Sequence, residues 1–166
     1  SKLGKDGPRV PVICLGAWPL GGGMGELTEK QVIDTVHASI DCGVTFIDTA
    51  EGYRTSEAVL GKALEGRRGQ VFLATKLSGD HSLEHMSRAI ENSLRSLRTD
   101  YVDLYQLHSP QPAYPIQQTM EGLLKLQKQG KIRYVGVSNF SAEQHAHALR
   151  HGHIDSSQPQ YSMLVR

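Results

Sequence analysis

Along this chain, runs of apolar residues at alternate or successive positions give way repeatedly to segments in which apolar residues recur every three to four positions. The first spacing predicts strands and the second predicts amphipathic helices. A strand is expected at 12–15, followed by a helix that opens at Thr28 and Gln31, a pair spaced as a capping box, and carries Val32, Ile33, Val36 and Ile40 on one face. Gly43 should end it. A second strand is expected at 45–47, and the helix after it carries Val59, Leu60, Ala63 and Leu64 before Gly66. The third strand falls at 71–74, and its helix runs from about Leu83 with Met86, Ile90, Leu94 and Leu97 in a stripe. A fourth strand at 102–107 precedes a helix with Pro115 at its first position and Met120, Leu123 and Leu124 buried, ending near Gly130. The fifth strand is expected at 133–137, a second capping box at Ser141 and Gln144 opens a weaker helix through Leu149, and a sixth strand is expected at 157–161.

Strands alternating with helices in this way imply a parallel sheet of βα units in an α/β domain. A (β/α)8 TIM barrel of about 250 residues spends about 31 residues on each unit. The 166 residues here therefore account for the first units, and strands seven and eight are absent from the sequence. No linker or low-complexity tract interrupts the chain, so residues 1–166 are expected to form one barrel domain, incomplete at its C-terminal side.

Composition narrows the partners. A formal charge of +1, with Lys and Arg scattered among Asp and Glu, leaves no basic stripe for nucleic acid. The polar N-terminus offers no membrane span, and the expectation is a cytoplasmic protein. Cys14 and Cys42 lack metal-ligand spacing and are expected to be buried free thiols. Four histidines, His145, His147, His151 and His153, cluster near the end of the chain, with His147 and His151 four residues apart. Without a third ligand or a glutamate base they are expected to be solvated surface, and no metal site is assigned.

The chemistry-bearing residues follow one strand after another: Asp48, Lys76, His108, Ser138 with Asn139, then Gln158. In a (β/α)8 barrel such positions converge on one mouth, whereas a doubly wound sheet would not gather five strand ends so directly. Tyr53 lies a few residues beyond Asp48. A phenol is a weak acid at neutral pH, and a nearby ammonium, Lys76, held charged by Asp48, would lower its pKa and make it a proton donor. His108 would supply an N–H to the oxygen being protonated. Trp18, just after the first strand, is expected to wall a substrate pocket.

The segments FIDTAEGY at 46–53, ATK at 74–76, DLYQLH at 103–108 and GKIRYVGVSN at 130–139 resemble the aldo-keto reductase family, over nearly the whole chain. The likeness is greater to the microbial and plant enzymes related to potassium-channel β subunits than to the mammalian steroid reductases. The resemblance implies an NADPH-dependent oxidoreductase that reduces aldehydes and ketones, with small aldehydes and dicarbonyls as the substrate class. It implies Tyr53 as general acid, Asp48 and Lys76 as the groups that tune it, and His108 as the group that positions the substrate carbonyl. Ser138, Asn139 and Gln158 match the residues that hold the nicotinamide carboxamide, with Asp48 beside them. A cofactor-sensing regulatory subunit on the same scaffold, or an inactive fragment, is the alternative. The family's grip on pyrophosphate and 2′-phosphate follows strands seven and eight, so a polypeptide ending at Arg166 is expected to lack tight cofactor binding and normal turnover.

Two further motifs suggest other chemistry and are set aside. The run 21–25 is glycine-rich but has neither dinucleotide nor Walker spacing, and is expected to be a mobile loop over the mouth. Residues 136–140 approach a nucleophile elbow but lack its last glycine and a triad.

Overall fold

Six parallel strands pair strictly in chain order, β1-β2-β3-β4-β5-β6, in a computed structural model that describes residues 1–4 and 7–164. They are β1 (Cys14–Gly16), β2 (Phe46–Asp48), β3 (Phe72–Leu77), β4 (Val102–Leu107), β5 (Ile132–Ser138) and β6 (Ser156–Gln158). Between them lie α1 (Glu29–Asp41), α2 (Ser56–Ala63), α3 (Leu83–Leu97), α4 (Ile116–Lys128) and α5 (Ala142–Leu149). Sequential parallel pairing with one helix per crossover is the progression of a (β/α)8 barrel through its first six units.

The local signals behind these elements are visible in the contacts. Thr28 and Gln31 exchange side-chain and backbone bonds in a reciprocal capping box at the start of α1, and Ser141 and Gln144 do the same at α5. Gly43, Gly66 and Gly130 each take positive φ just beyond a helix, the conformation that glycine adopts without steric cost. The stripe Met86, Ile90, Leu94 and Leu97 is buried and packs α3 into the core with Leu60, Leu73 and Leu123.

Several elements differ from expectation for physical reasons. Strand β1 begins two residues late and β6 covers only 156–158, both being edge strands with a single pairing partner. Pro115 sits at the N-cap with ψ 123°, one position before the helix, and Leu126 rather than Leu124 is the fully buried leucine beyond Leu123. Neither cysteine is buried: Cys42 caps the exposed end of α1 and Cys14 lies on the edge strand. The Cys14 thiol is nonetheless pushed up to about 12, by desolvation first and by the negative charge of Asp48 second, which makes it unreactive as a thiolate.

Register sorts the two faces of the sheet. Because side chains alternate along a strand, the pairings Asp48 with Ala74, Lys76 with Gln106, Gln106 with Gly136, and Ser138 with Gln158 put all these residues on one face. That is the inner face of the incipient barrel. Its lower level holds Phe46, Phe72 and Tyr134 in ring contact, with centroids 5.1 and 6.0 Å apart. The outer face carries Leu73, Tyr105, Val135 and Val137 against the helices. At its base Asp103 is buried and accepts from Arg68 at 2.8 Å, Arg133 at 3.1 Å and the Leu73 amide at 2.9 Å. Those bonds tie three strands together at the end opposite the mouth.

His81, between β3 and α3, is 3% exposed, and its Nε2 has no hydrogen-bond partner among the described residues. Burial pushes its pKa down from 6.5 to about 4. The unfolded chain therefore takes up a proton at higher pH than the folded one, so stability is lost as pH falls through that window. The slope from one such group is at most about 1.4 kcal/mol per pH unit. Urea denaturation of His81→Leu should show a shallower loss of stability on acidification than the parent protein; equal slopes would refute a buried, neutral His81.

Candidate active site

Every catalytic side chain expected from the sequence arrives at the C-terminal end of the sheet. Asp48 ends β2, and the chain beyond it continues to follow β3, with Thr49 N–H donating to the Ala74 carbonyl and Glu51 N–H to the Lys76 carbonyl. This carries Tyr53 across the mouth before α2 begins. Lys76 lies within β3, and His108 follows β4 directly, its amide bonded to the Leu77 carbonyl at 3.0 Å.

Lys76 is 1% exposed and its ammonium donates to Asp48 Oδ2 at 2.5 Å and to the Thr49 carbonyl at 3.0 Å. The ammonium lies 5.2 Å from the centre of the Tyr53 ring. The Tyr53 hydroxyl faces His108 Nε2 at 3.4 Å, and the two rings meet edge to face. On its other side His108 Nδ1 lies 2.9 Å from Ser78 Oγ. Asp48 also accepts from Gln106 Nε2 at 3.2 Å and from Gln158 Nε2 at 3.3 Å. Its carboxylate is therefore shared by three strands besides its own.

Titration differs from expectation in one respect. The Tyr53 pKa is raised, not lowered, first by desolvation and then by the Asp48 charge. Lys76 spends its bonds on Asp48 and Thr49, so Asp48 offsets the field by which the ammonium would stabilise a phenolate. Tyr53 is thus a firmly protonated phenol in this state. The His108 pKa is lowered by desolvation and then by the Lys76 charge, which keeps the imidazole neutral near neutral pH.

At the β5 and β6 ends, Ser138 Oγ donates to the Gln158 carbonyl at 3.1 Å and Asn139 N–H to the same oxygen at 3.1 Å. Asn139 adopts φ 60°, a left-handed conformation that asparagine tolerates better than most residues, and its Nδ2 donates to the His108 carbonyl at 2.8 Å. Ser138 is buried, while Asn139 and Gln158 are exposed on the rim.

Trp18 precedes a 3-10 helix (Pro19–Gly21) and is half exposed, its ring against Gly23. The glycine-rich run is anchored at its start: Gly21 is buried, and a Cβ there would lie 2.1 Å from the Tyr53 carbonyl and 3.1 Å from Ser56 Cβ. Ser56 Oγ donates in turn to the Ala17 carbonyl at 2.8 Å and shares a bond with Thr49 Oγ1 at 2.9 Å. Gln106, Ser78 and Gly21 are site residues that sequence reading missed. Gln106 was within reach, since it lies two residues before His108 and so on the same face of β4.

The four histidines near the end of the chain gather only in part. His147 and His151 approach edge to face at 5.4 Å, with His147 exposed and His151 half-buried. Among the described residues no group of three His, Cys, Asp or Glu side chains is placed to hold a metal ion, and no helix is long and apolar enough to cross a membrane.

A parallel sheet built one βα unit at a time, with its polar group collected at the C-terminal strand ends, is the architecture of the (β/α)8 barrels. Within that class the chain belongs to the aldo/keto reductase family, whose model matches residues 12–166. It is 44% identical to aldo-keto reductase YhdN of Bacillus subtilis over its whole length, covering 54% of that protein. It is 35% identical to an NADH-specific methylglyoxal reductase of Escherichia coli over 99% of its length, covering 59% of that relative. The chain thus spans little more than half of these relatives. Among solved structures it matches the thermostable aldo-keto reductase Tm1743, in complex with the inhibitor epalrestat, with a TM-score of 0.92 at 34% identity, over 97% of this chain and 62% of that one. It also matches an aldo-keto reductase from Klebsiella pneumoniae in complex with NADPH, with a TM-score of 0.85 at 38% identity, over 96% and 58% of the two chains.

Gly21→Ala should push the Tyr53 loop away from its place and cost roughly 1–3 kcal/mol, the usual penalty of overpacking. Gly69→Ala, where nothing lies within 4 Å and φ is ordinary, is the control. Denaturation midpoints that fall equally in the two variants would show that Gly21 does not set the loop.

Proposed function

We propose that this chain carries the catalytic group of an NADPH-dependent carbonyl reductase that converts aldehydes and ketones to alcohols. The observation that carries the reading is the facing of the Tyr53 hydroxyl and His108 Nε2 at 3.4 Å above the buried Lys76–Asp48 pair. Two groups able to donate to one oxygen, with a cation behind one of them, suit a carbonyl oxygen that gains negative charge.

In this reading the neutral His108 imidazole orients the carbonyl through an N–H. Tyr53, whose raised pKa keeps its proton in place beforehand, delivers that proton as charge develops on the oxygen. Lys76 then lies close enough to stabilise the phenolate, and its bond to Asp48 holds the ammonium in place. The nicotinamide cofactor, when bound, supplies the hydride. A primary carboxamide offers two N–H donors and one acceptor; the Asn139 and Gln158 side-chain oxygens match the donors, and the Ser138 hydroxyl, once turned from the Gln158 carbonyl, matches the acceptor. All three stand within one hydrogen-bonded group beside Asp48 at the mouth. Trp18, half exposed on the rim, is the residue we assign to the wall of the substrate pocket.

Small aldehydes and dicarbonyls are the proposed substrates. The methylglyoxal reductases among the relatives support this class, and the Klebsiella complex supports NADPH. The NADH-specific relative makes the choice of dinucleotide a point to measure. All members of the acid–base group are present and gathered, which favours turnover over cofactor sensing alone.

With the full-length polypeptide, methylglyoxal should drive oxidation of NADPH faster than of NADH. Tyr53→Phe should lower kcat by about 10²–10⁴-fold, the usual contribution of a positioned acid, while leaving dinucleotide binding intact. A phenylalanine variant that turns over as fast as the parent would overturn the assignment of the acid.

A further inference from the structure

The His108 ring has two nitrogens, and the proposed reaction uses one of them. Its Nε2 faces the Tyr53 hydroxyl, and Nδ1 faces Ser78 Oγ at 2.9 Å, closer than the 3.4 Å on the reacting side. Ser78 follows β3 directly as His108 follows β4, and the pairing of Leu77 with Leu107 brings the two residues side by side. Both continue the inner-face alternation of their strands, Lys76 to Ser78 and Gln106 to His108.

Ser78 is itself fixed. Its amide donates to Glu51 Oε1 at 2.5 Å, and Gly52 leaves room for it, since a Cβ at Gly52 would come within 3.1 Å of Ser78 Oγ. Among the described residues Nδ1 of His108 is the hydrogen-bond partner of the Ser78 hydroxyl. If Nδ1 carried the proton, the hydroxyl hydrogen would have no such acceptor; with the hydroxyl donating, both groups are satisfied. In a neutral imidazole a bond that fixes one nitrogen as acceptor fixes the other as donor.

We infer that Ser78 is a positioning residue that donates its hydroxyl hydrogen to His108 Nδ1 and so holds the ring in the tautomer with its N–H on Nε2, aimed at the substrate carbonyl. The inference rests on the reductase reading for its consequence, but the tautomer can be measured without it. A structural serine would hold the loop without affecting which nitrogen bears hydrogen.

The test is ¹⁵N NMR of the imidazoles in the full-length protein at neutral pH, with the His108 signals assigned by their loss in His108→Gln. The parent should show a protonated Nε2 and a bare, hydrogen-bonded Nδ1. Ser78→Ala should lose that preference and lower kcat by about tenfold, the worth of one hydrogen bond, with KM for NADPH unchanged. Ser78→Thr, which keeps the hydroxyl, should restore both. A parent protein with its proton on Nδ1 overturns the inference with no variant needed, as does a His108 spectrum that is the same in Ser78→Ala. Full turnover in Tyr53→Phe would instead strike the reductase reading and leave the tautomer result standing.

Discussion

Lys76 is the constraint on which the mouth of this sheet is built. An ammonium at 1% exposure is tolerable only if its charge is answered, since the effective cost of burying an unpaired ion is several kcal/mol. The answer is Asp48 one strand away, but a carboxylate at 2.5 Å satisfies one lone pair and leaves others to be met. Gln106 and Gln158 meet them, and the Thr49 carbonyl takes a second ammonium proton. One buried cation thus recruits acceptors and donors from β2, β4 and β6 and fixes the relative positions of the strands that carry the rest of the group.

The same electrostatics explain why the tyrosine departs from the simplest chemical expectation. From sequence, Lys76 and Tyr53 can be placed in one group, with Asp48 counted only for its hold on the lysine and not for its own charge on the phenol. The structure adds distance and competition: Asp48 is in contact with the cation while the phenol ring is 5.2 Å from it, and burial acts on the phenol as well. Together they leave a net shift upward. On the proposed reading, a proton held firmly until negative charge develops nearby suits an acid that acts late in the reaction.

Period and punctuation made most of the fold legible. Strand β4 falls at the expected residues because it is buried along its whole length on both faces, and both capping boxes form because three-residue spacing sets their reciprocal bonds. Edge strands were less legible, since pairing on one side only determines where β1 and β6 begin and end. The burial of Cys14 and Cys42 was misjudged because cysteine's usual preference for the interior says nothing about a strand at the sheet margin or a helix end. In the candidate site, the polar side chains that gather at the mouth were visible as residues recurring at strand ends. The supporting shell was not, because Ser78 and Gly21 act through contacts between loops that no spacing along one segment encodes.

The bonds around Asp103 lie at the other end of the sheet from the mouth and share no side chain with the Asp48 group. The molecule thus keeps its fastening and its candidate site in separate places. New loops or pocket residues can be tried at one end while the other holds the strands together, which gives the scaffold room to acquire new specificities without being redesigned from the floor upward.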